Sequence, residues 1–174
     1  VAGERRAACG VVVTASHNPV EYNGLKVLAR DGRKIPDAEE RALEAAMEIA
    51  LAEPVQVAAP SVVHAAEAEE YRGRYARALA ALAQTVSAAG LRVVVDAAHG
   101  AASPFAVAAL AATGATVLPF AMGDGVINDG VGATDPAALG EQVRAHGADL
   151  GIALDGDADR CVVVDAAGRA IDGD

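Results

Sequence analysis

An α/β fold with mixed, mainly parallel sheets and helices on both faces is predicted for this 174-residue chain. Three observations predict it: strands alternate with helices, a turn signal closes each apolar run, and the composition favours small aliphatic residues. Apolar residues make up 53% of the sequence, aromatics only 3% with no Trp, and 44 residues are alanine. The core is therefore expected to be Ala, Val and Leu in closely packed layers.

Residues 9–15 are a β-branched run that stops at Ser16, His17, Asn18 and Pro19, so a buried strand delivering a polar loop is expected there. Segments 25–29 and 33–35 flank Arg30, Asp31 and Gly32, a hairpin signal. Pro36 and Asp37 then open an alanine-rich helix reaching about Leu51. Residues 53–63, with Pro54 and Pro60, lack a clear period and read as a linker between two units. The second unit starts with a helix over 65–86, broken by Gly90. It continues through strand 92–96, helix 104–113, strand 116–120, a Gly/Asp/Asn-rich loop and helix 136–146. Strand 150–154, loop 155–160 and strand 161–165, turning at Gly168, complete it. Sheets of this kind carry their sites at the carboxyl ends of strands, and the polar clusters at Ser16 and Asp155 both follow strands.

Twenty-four acidic against fourteen basic residues give a net charge of −10, a field that repels phosphate backbones. With so few aromatics for base stacking, nucleic-acid binding is disfavoured. No apolar run approaches the ~20 residues of a membrane span. Cys9 and Cys161 edge valine runs and are expected to be small buried thiols, pointing to a cytoplasmic location. His64 and His146 read as solvated or capping residues on a linker and a helix end. Without an initiator Met, the chain reads as part of a longer one.

Asp155-Gly156-Asp157-Ala158-Asp159-Arg160 sets three carboxylates at i, i+2 and i+4 in one turn. Three close negative charges repel unless a cation sits among them, and hard oxygen donors select Mg²⁺, Mn²⁺ or Ca²⁺. An EF-hand needs Gly at the sixth loop position and Glu at the twelfth, where this loop has Arg160 and Ala166. Ser16 is the candidate nucleophile. Its adjacency to His17 is not a triad, because neighbouring side chains on an extended segment point apart, and the G-x-S-x-G elbow of hydrolases is missing. Lys26 stands out because the chain has only two lysines.

Together these clusters resemble the α-D-phosphohexomutases. Thr14-Ala15-Ser16-His17-Asn18-Pro19 followed by Asn23-Gly24-Leu25-Lys26 is similar to their phosphoserine loop, and residues 155–160 to their metal loop. Asp31-Gly32-Arg33-Lys34-Ile35-Pro36, Gly73-Arg74-Tyr75, Val94-Val95-Asp96 and Asp172-Gly173-Asp174 continue the likeness. Within the superfamily, Gly125-Val126-Ile127-Asn128 and Val131-Gly132-Ala133-Thr134-Asp135 resemble the glucosamine-phosphate branch. Two departures stand out: His99-Gly100 replaces a usual Asn-Gly, and Ala158 replaces a common Gly.

The resemblance implies two consecutive α/β domains, both incomplete. Residues 1–60 would be the latter part of the first, with the phosphoserine loop, and 61–174 most of the second, with the metal loop. It implies an enzyme converting glucosamine 6-phosphate to glucosamine 1-phosphate through a 1,6-bisphosphate. Ser16, His17, Lys26 and Arg160 would be catalytic, and Ser16, Asp155, Asp157 and Asp159 would bind Mg²⁺; the partner is a phosphosugar. The alternatives are a mutase acting on another hexose phosphate, a Mg²⁺-dependent phosphatase using the same groups, and a non-catalytic acidic binding module.

Overall fold

The computed structural model describes residues 7–52 and 65–171. The expected linker, His64 and the motif at 172–174 lie outside these residues. The chain forms two compact units, one comprising Val1–Val13 and Gly24–Tyr71, the other Thr14–Asn23 and Arg72–Asp174.

In the first unit, strand β1 (Gly10–Val13) pairs antiparallel with β2 (Leu25–Leu28), setting Val12 opposite Lys26. The turn at residues 29–33 closes through Gly32 N–H to Ala29 O at 2.9 Å and Ala29 N–H to Arg33 O at 2.7 Å. Of the expected second hairpin strand, one bridge forms, Leu28 to Lys34. Helix α1 (Asp37–Leu51) begins where Pro36 and Asp37 predict, with Asp37, Glu39 and Glu40 on its positive N-terminal end. No described residue of this unit is buried. Val11 and Val13, expected inside, are 56% and 65% exposed. A strand is buried only when a layer covers its faces, and among the described residues β1 has only β2 paired with it.

The second unit holds the core. Helix α2 (Ala65–Ala83), which belongs to this unit from Arg72 onward, precedes β3 (Arg92–Asp96), α3 (Ala106–Ala111), β4 (Thr116–Phe120), α4 (Ala137–His146), β5 (Leu150–Leu154), β6 (Cys161–Asp165) and β7 (Ala170–Ile171). The sheet order is β4-β3-β5-β6-β7. Neighbours β4, β3 and β5 run parallel, and β6 and β7 complete the sheet antiparallel. Helices α2 and α3 are shorter than expected because residues 84–86 and 103–105 form hydrogen-bonded turns instead.

Alternation along the strands sends Val94, Ala153 and Val164 to α4, where Leu139 and Val143 complete the core. Gly151 lets that helix approach: a Cβ there would lie 2.7 Å from a Val143 methyl. Val95, Ile152 and Leu154 face the other way, toward Tyr75 and Leu79 of α2 and Phe105 and Leu110 around α3, across an apolar cavity of about 370 Å³. Helices thus lie on both faces of this sheet. Cys9 and Cys161 are exposed, contrary to expectation. Cys9 precedes the uncovered β1, and Cys161 opens β6 ahead of Val164, the first residue of that strand to be fully buried.

Candidate active site

The carboxyl ends of β3, β4 and β5 converge on one group of loops in the second unit, joined by the segment Thr14–Asn23. Among the described residues, six non-glycine residues have positive φ: Ser16, Ala98, His99, Ala121, Asn128 and Ala158, at 48–60°. All six lie in these loops, a concentration of backbone strain typical of working sites.

Asp155 is fully buried where β5 ends. Its Oδ1 accepts the backbone N–H groups of Asp159 (3.1 Å) and Arg160 (3.2 Å), and its Oδ2 accepts Arg160 Nε–H at 3.2 Å. One carboxylate therefore ties the loop into a ring. Asp155, Asp157 and Asp159 each offer an oxygen within 4.8 Å of the others. In a Mg²⁺ shell with ligands at about 2.1 Å, cis donors lie about 3.0 Å apart and trans donors about 4.2 Å, so the loop must draw these oxygens together by about 1 to 2 Å to hold one hard cation. Arg160, half exposed, stands at 3.9 Å from Asp159 as well and is the local positive charge.

Ser16 meets this loop through its backbone. A Cβ on Gly156 would lie 2.7 Å from the Ser16 carbonyl oxygen, 2.7 Å from Ile127 Cδ1 and 2.8 Å from Asn128 Nδ2, so only glycine allows the approach. Ser16 N–H donates to Thr14 Oγ1 at 2.9 Å. Exposed His17 lines a cleft of about 440 Å³ with Pro19, Glu21, Ile127 and Thr134. Lys26 lies half-buried on β2, in the first unit.

Two residues escaped the sequence reading as parts of the site. Asp96, fully buried at the end of β3, accepts Ala98 N–H at 2.8 Å on Oδ1 and Gly132 N–H at 2.7 Å on Oδ2. Burial pushes its carboxyl above the ordinary 3.8, opposed by these two N–H groups and by His99. Asn128 donates through Nδ2 to the Ser16 carbonyl at 2.9 Å, while its own N–H donates to Ala98 O at 3.1 Å. A buried acid directly after a valine run was the available signal for Asp96. For Asn128 no local signal exists, since its partner lies 112 residues away. Of the two departures, His99 accepts Gly125 N–H at 3.1 Å on Nδ1, and Ala158 keeps a left-handed backbone despite its methyl group.

Two models of the phosphoglucomutase/phosphomannomutase family match the sequence, α/β/α domain I over residues 1–52 and α/β/α domain II over residues 73–168. The chain belongs to this family. Phosphoglucosamine mutases from Burkholderia cenocepacia and a Ruegeria species are each 46% identical to it over 97% of its length. The chain spans 38% of the length of those relatives. Among solved structures, a phosphoglucomutase/phosphomannomutase family protein from Burkholderia thailandensis superposes with a TM-score of 0.67 at 27% identity, covering 94% of this chain and 34% of that one. A Thermus thermophilus protein assigned as a phosphomannomutase gives 0.70 at 26%, covering 99% and 40%. No helix among the described residues is long and apolar enough to cross a membrane.

Proposed function

We propose that this chain carries the phosphoryl-transfer part of a phosphoglucosamine mutase, with Ser16 as the phosphorylated residue. The observation that carries the reading is the seating of the Ser16 backbone on Gly156, inside the acidic loop 155–160. The choice of glucosamine phosphate over another hexose phosphate rests on the 46% identical relatives of that name.

A hydroxyl of the sugar phosphate attacks the phosphorus on Ser16. Its new O–P bond forms as the serine O–P bond breaks, the attacking hydroxyl loses its proton, and the departing serine oxygen gains one. The bisphosphate reorients and returns its other phosphoryl to Ser16, so phosphate is conserved and the product is an isomer. His17 and Lys26 are the candidate acid and base. A phosphoserine brings about −1.5 to −2 charges beside three aspartates. Mg²⁺ held by Asp155, Asp157, Asp159 and a phosphoryl oxygen would supply charge neutralisation there. The half-exposed Arg160 guanidinium can fork onto the same phosphate while its Nε stays with Asp155. Exposed free thiols at Cys9 and Cys161 suit the reducing cytoplasm.

In the full-length protein, intact mass and peptide mapping are expected to find one phosphate on Ser16. Ser16→Ala should lack it and lose mutase turnover by a factor on the order of 10⁴ or more. Full activity in Ser16→Ala would overturn the proposal, and net release of inorganic phosphate without a bisphosphate would favour a phosphatase.

A further inference from the structure

We propose that Asn128 is a positioning residue that clamps the Ser16 loop onto the acidic loop. The inference rests on the phosphoserine reading only for its catalytic consequence.

Ser16 has φ 54°, a left-handed conformation that side chains other than glycine's disfavour. Something must hold it there. Thr14 Oγ1 accepts the Ser16 N–H, and the Asn128 side-chain amide donates through Nδ2 to the Ser16 carbonyl at 2.9 Å. The same Nδ2 stands 3.5 Å from the Asn18 carbonyl, so the amide brackets His17 from both sides. It also lies over Gly156, where a Cβ would come within 2.8 Å of it. Two acceptors on one nitrogen fix which end of the amide faces the loop, leaving Oδ1 buried without a hydrogen-bond partner. The Nδ2 end supplies donors to the Ser16 loop that an apolar residue at this position would lack.

The clamp is anchored in the core. Asn128 N–H donates to Ala98 O, and the Ala98 N–H donates to the buried Asp96, which also takes the N–H of Gly132. A continuous chain of hydrogen bonds therefore runs from the end of β3 to the Ser16 carbonyl. Asn128 itself has φ 60°, which asparagine tolerates better than most residues and glycine accepts freely.

That backbone allows a clean test in the full-length protein. Asn128→Gly keeps the turn and removes only the amide. Asn128→Asp keeps the shape but offers no donor, and melting temperatures check that each variant is folded. Three quantities are read: phosphate occupancy of Ser16, amide hydrogen exchange of a peptide covering residues 15–20, and kcat and KM with glucosamine 6-phosphate. Both variants should exchange at least tenfold faster over 15–20, with exchange in β3 and β5 unchanged. Their kcat should fall about 10- to 100-fold, with KM within about twofold, as for misplacement of a reacting group. Parental exchange and kcat in a folded Asn128→Gly protein would overturn the clamp. Ser16 without phosphate in the parent protein would count against the phosphoserine reading alone, and faster exchange over 15–20 in the variants would still uphold the clamp.

Discussion

Asp96 shows how a single buried carboxylate organises a site it does not enter. Its two oxygens are taken by two backbone N–H groups from different loops, at 2.8 and 2.7 Å. Replacing it by Asn turns an NH₂ group toward one of those donors and leaves a buried N–H unpaired, a loss of about 1–3 kcal/mol. Relief of charge burial acts in the opposite direction. Because the folded-state carboxyl titrates above its ordinary 3.8, its stabilising contribution is complete below 3.8 and is lost as pH rises through the folded value. The charged form at neutral pH therefore already bears that cost. Asp96→Asn is expected to be about 1–2 kcal/mol less stable than the parent at pH 7 in urea unfolding. The deficit should widen as the pH is lowered toward 4, since only the parent gains by protonation. A deficit that narrowed on acidification would contradict this assignment of the shift.

The loop at residues 155–160 separates two duties among three similar side chains. Asp155 is buried and takes two backbone N–H groups and the Arg160 Nε–H, whereas Asp159 is exposed. Asp155→Ala should therefore lower stability by about 2–3 kcal/mol and weaken Mg²⁺ binding. Asp159→Ala should weaken Mg²⁺ binding about tenfold or more while leaving the melting temperature of the metal-free protein nearly unchanged. Calorimetric titration with Mg²⁺ and thermal melts in chelator separate the two effects, and equal loss of stability in both variants would remove the distinction. Much at this scale was legible beforehand. Strands β3, β4, β5 and β6 fall where their apolar runs and flanking turns predicted, because those cues are local. The triple-aspartate spacing was legible for the same reason. The exposure of β1 and of Cys161 was not, since burial depends on what covers a strand, and pattern alone does not supply the cover. Nor was the role of Asn128 or Asp96: their hydrogen bonds join residues 112 and 36 positions apart.

At the scale of the whole chain, stability is unevenly distributed. Among the described residues, every fully buried apolar side chain, from Val94 to Val164, lies in the second unit, where helices flank a five-stranded sheet on both faces. The first unit offers a two-stranded ladder and a helix whose Ile49 and Leu51 are 72% and 77% exposed. A two-stranded ladder is marginal by itself, and an uncovered helix depends on propensity rather than packing. Local opening is expected to cost little in the first unit and to approach the global unfolding free energy in β3, β5 and α4. Hydrogen exchange followed by mass spectrometry on the 174-residue chain should find β1, β2 and α1 exchanged within seconds, and β3, β5 and α4 protected by factors of about 10³ or more. Titrating urea should give one cooperative transition reporting the second unit, with the first unit's amides already open before it. Equal protection in β1 and β3 would show that the exposed valines of β1 are covered in solution, by a second copy or by chain outside the described residues. Repeating the measurement across protein concentrations would distinguish those two sources, because only self-association makes protection rise with concentration.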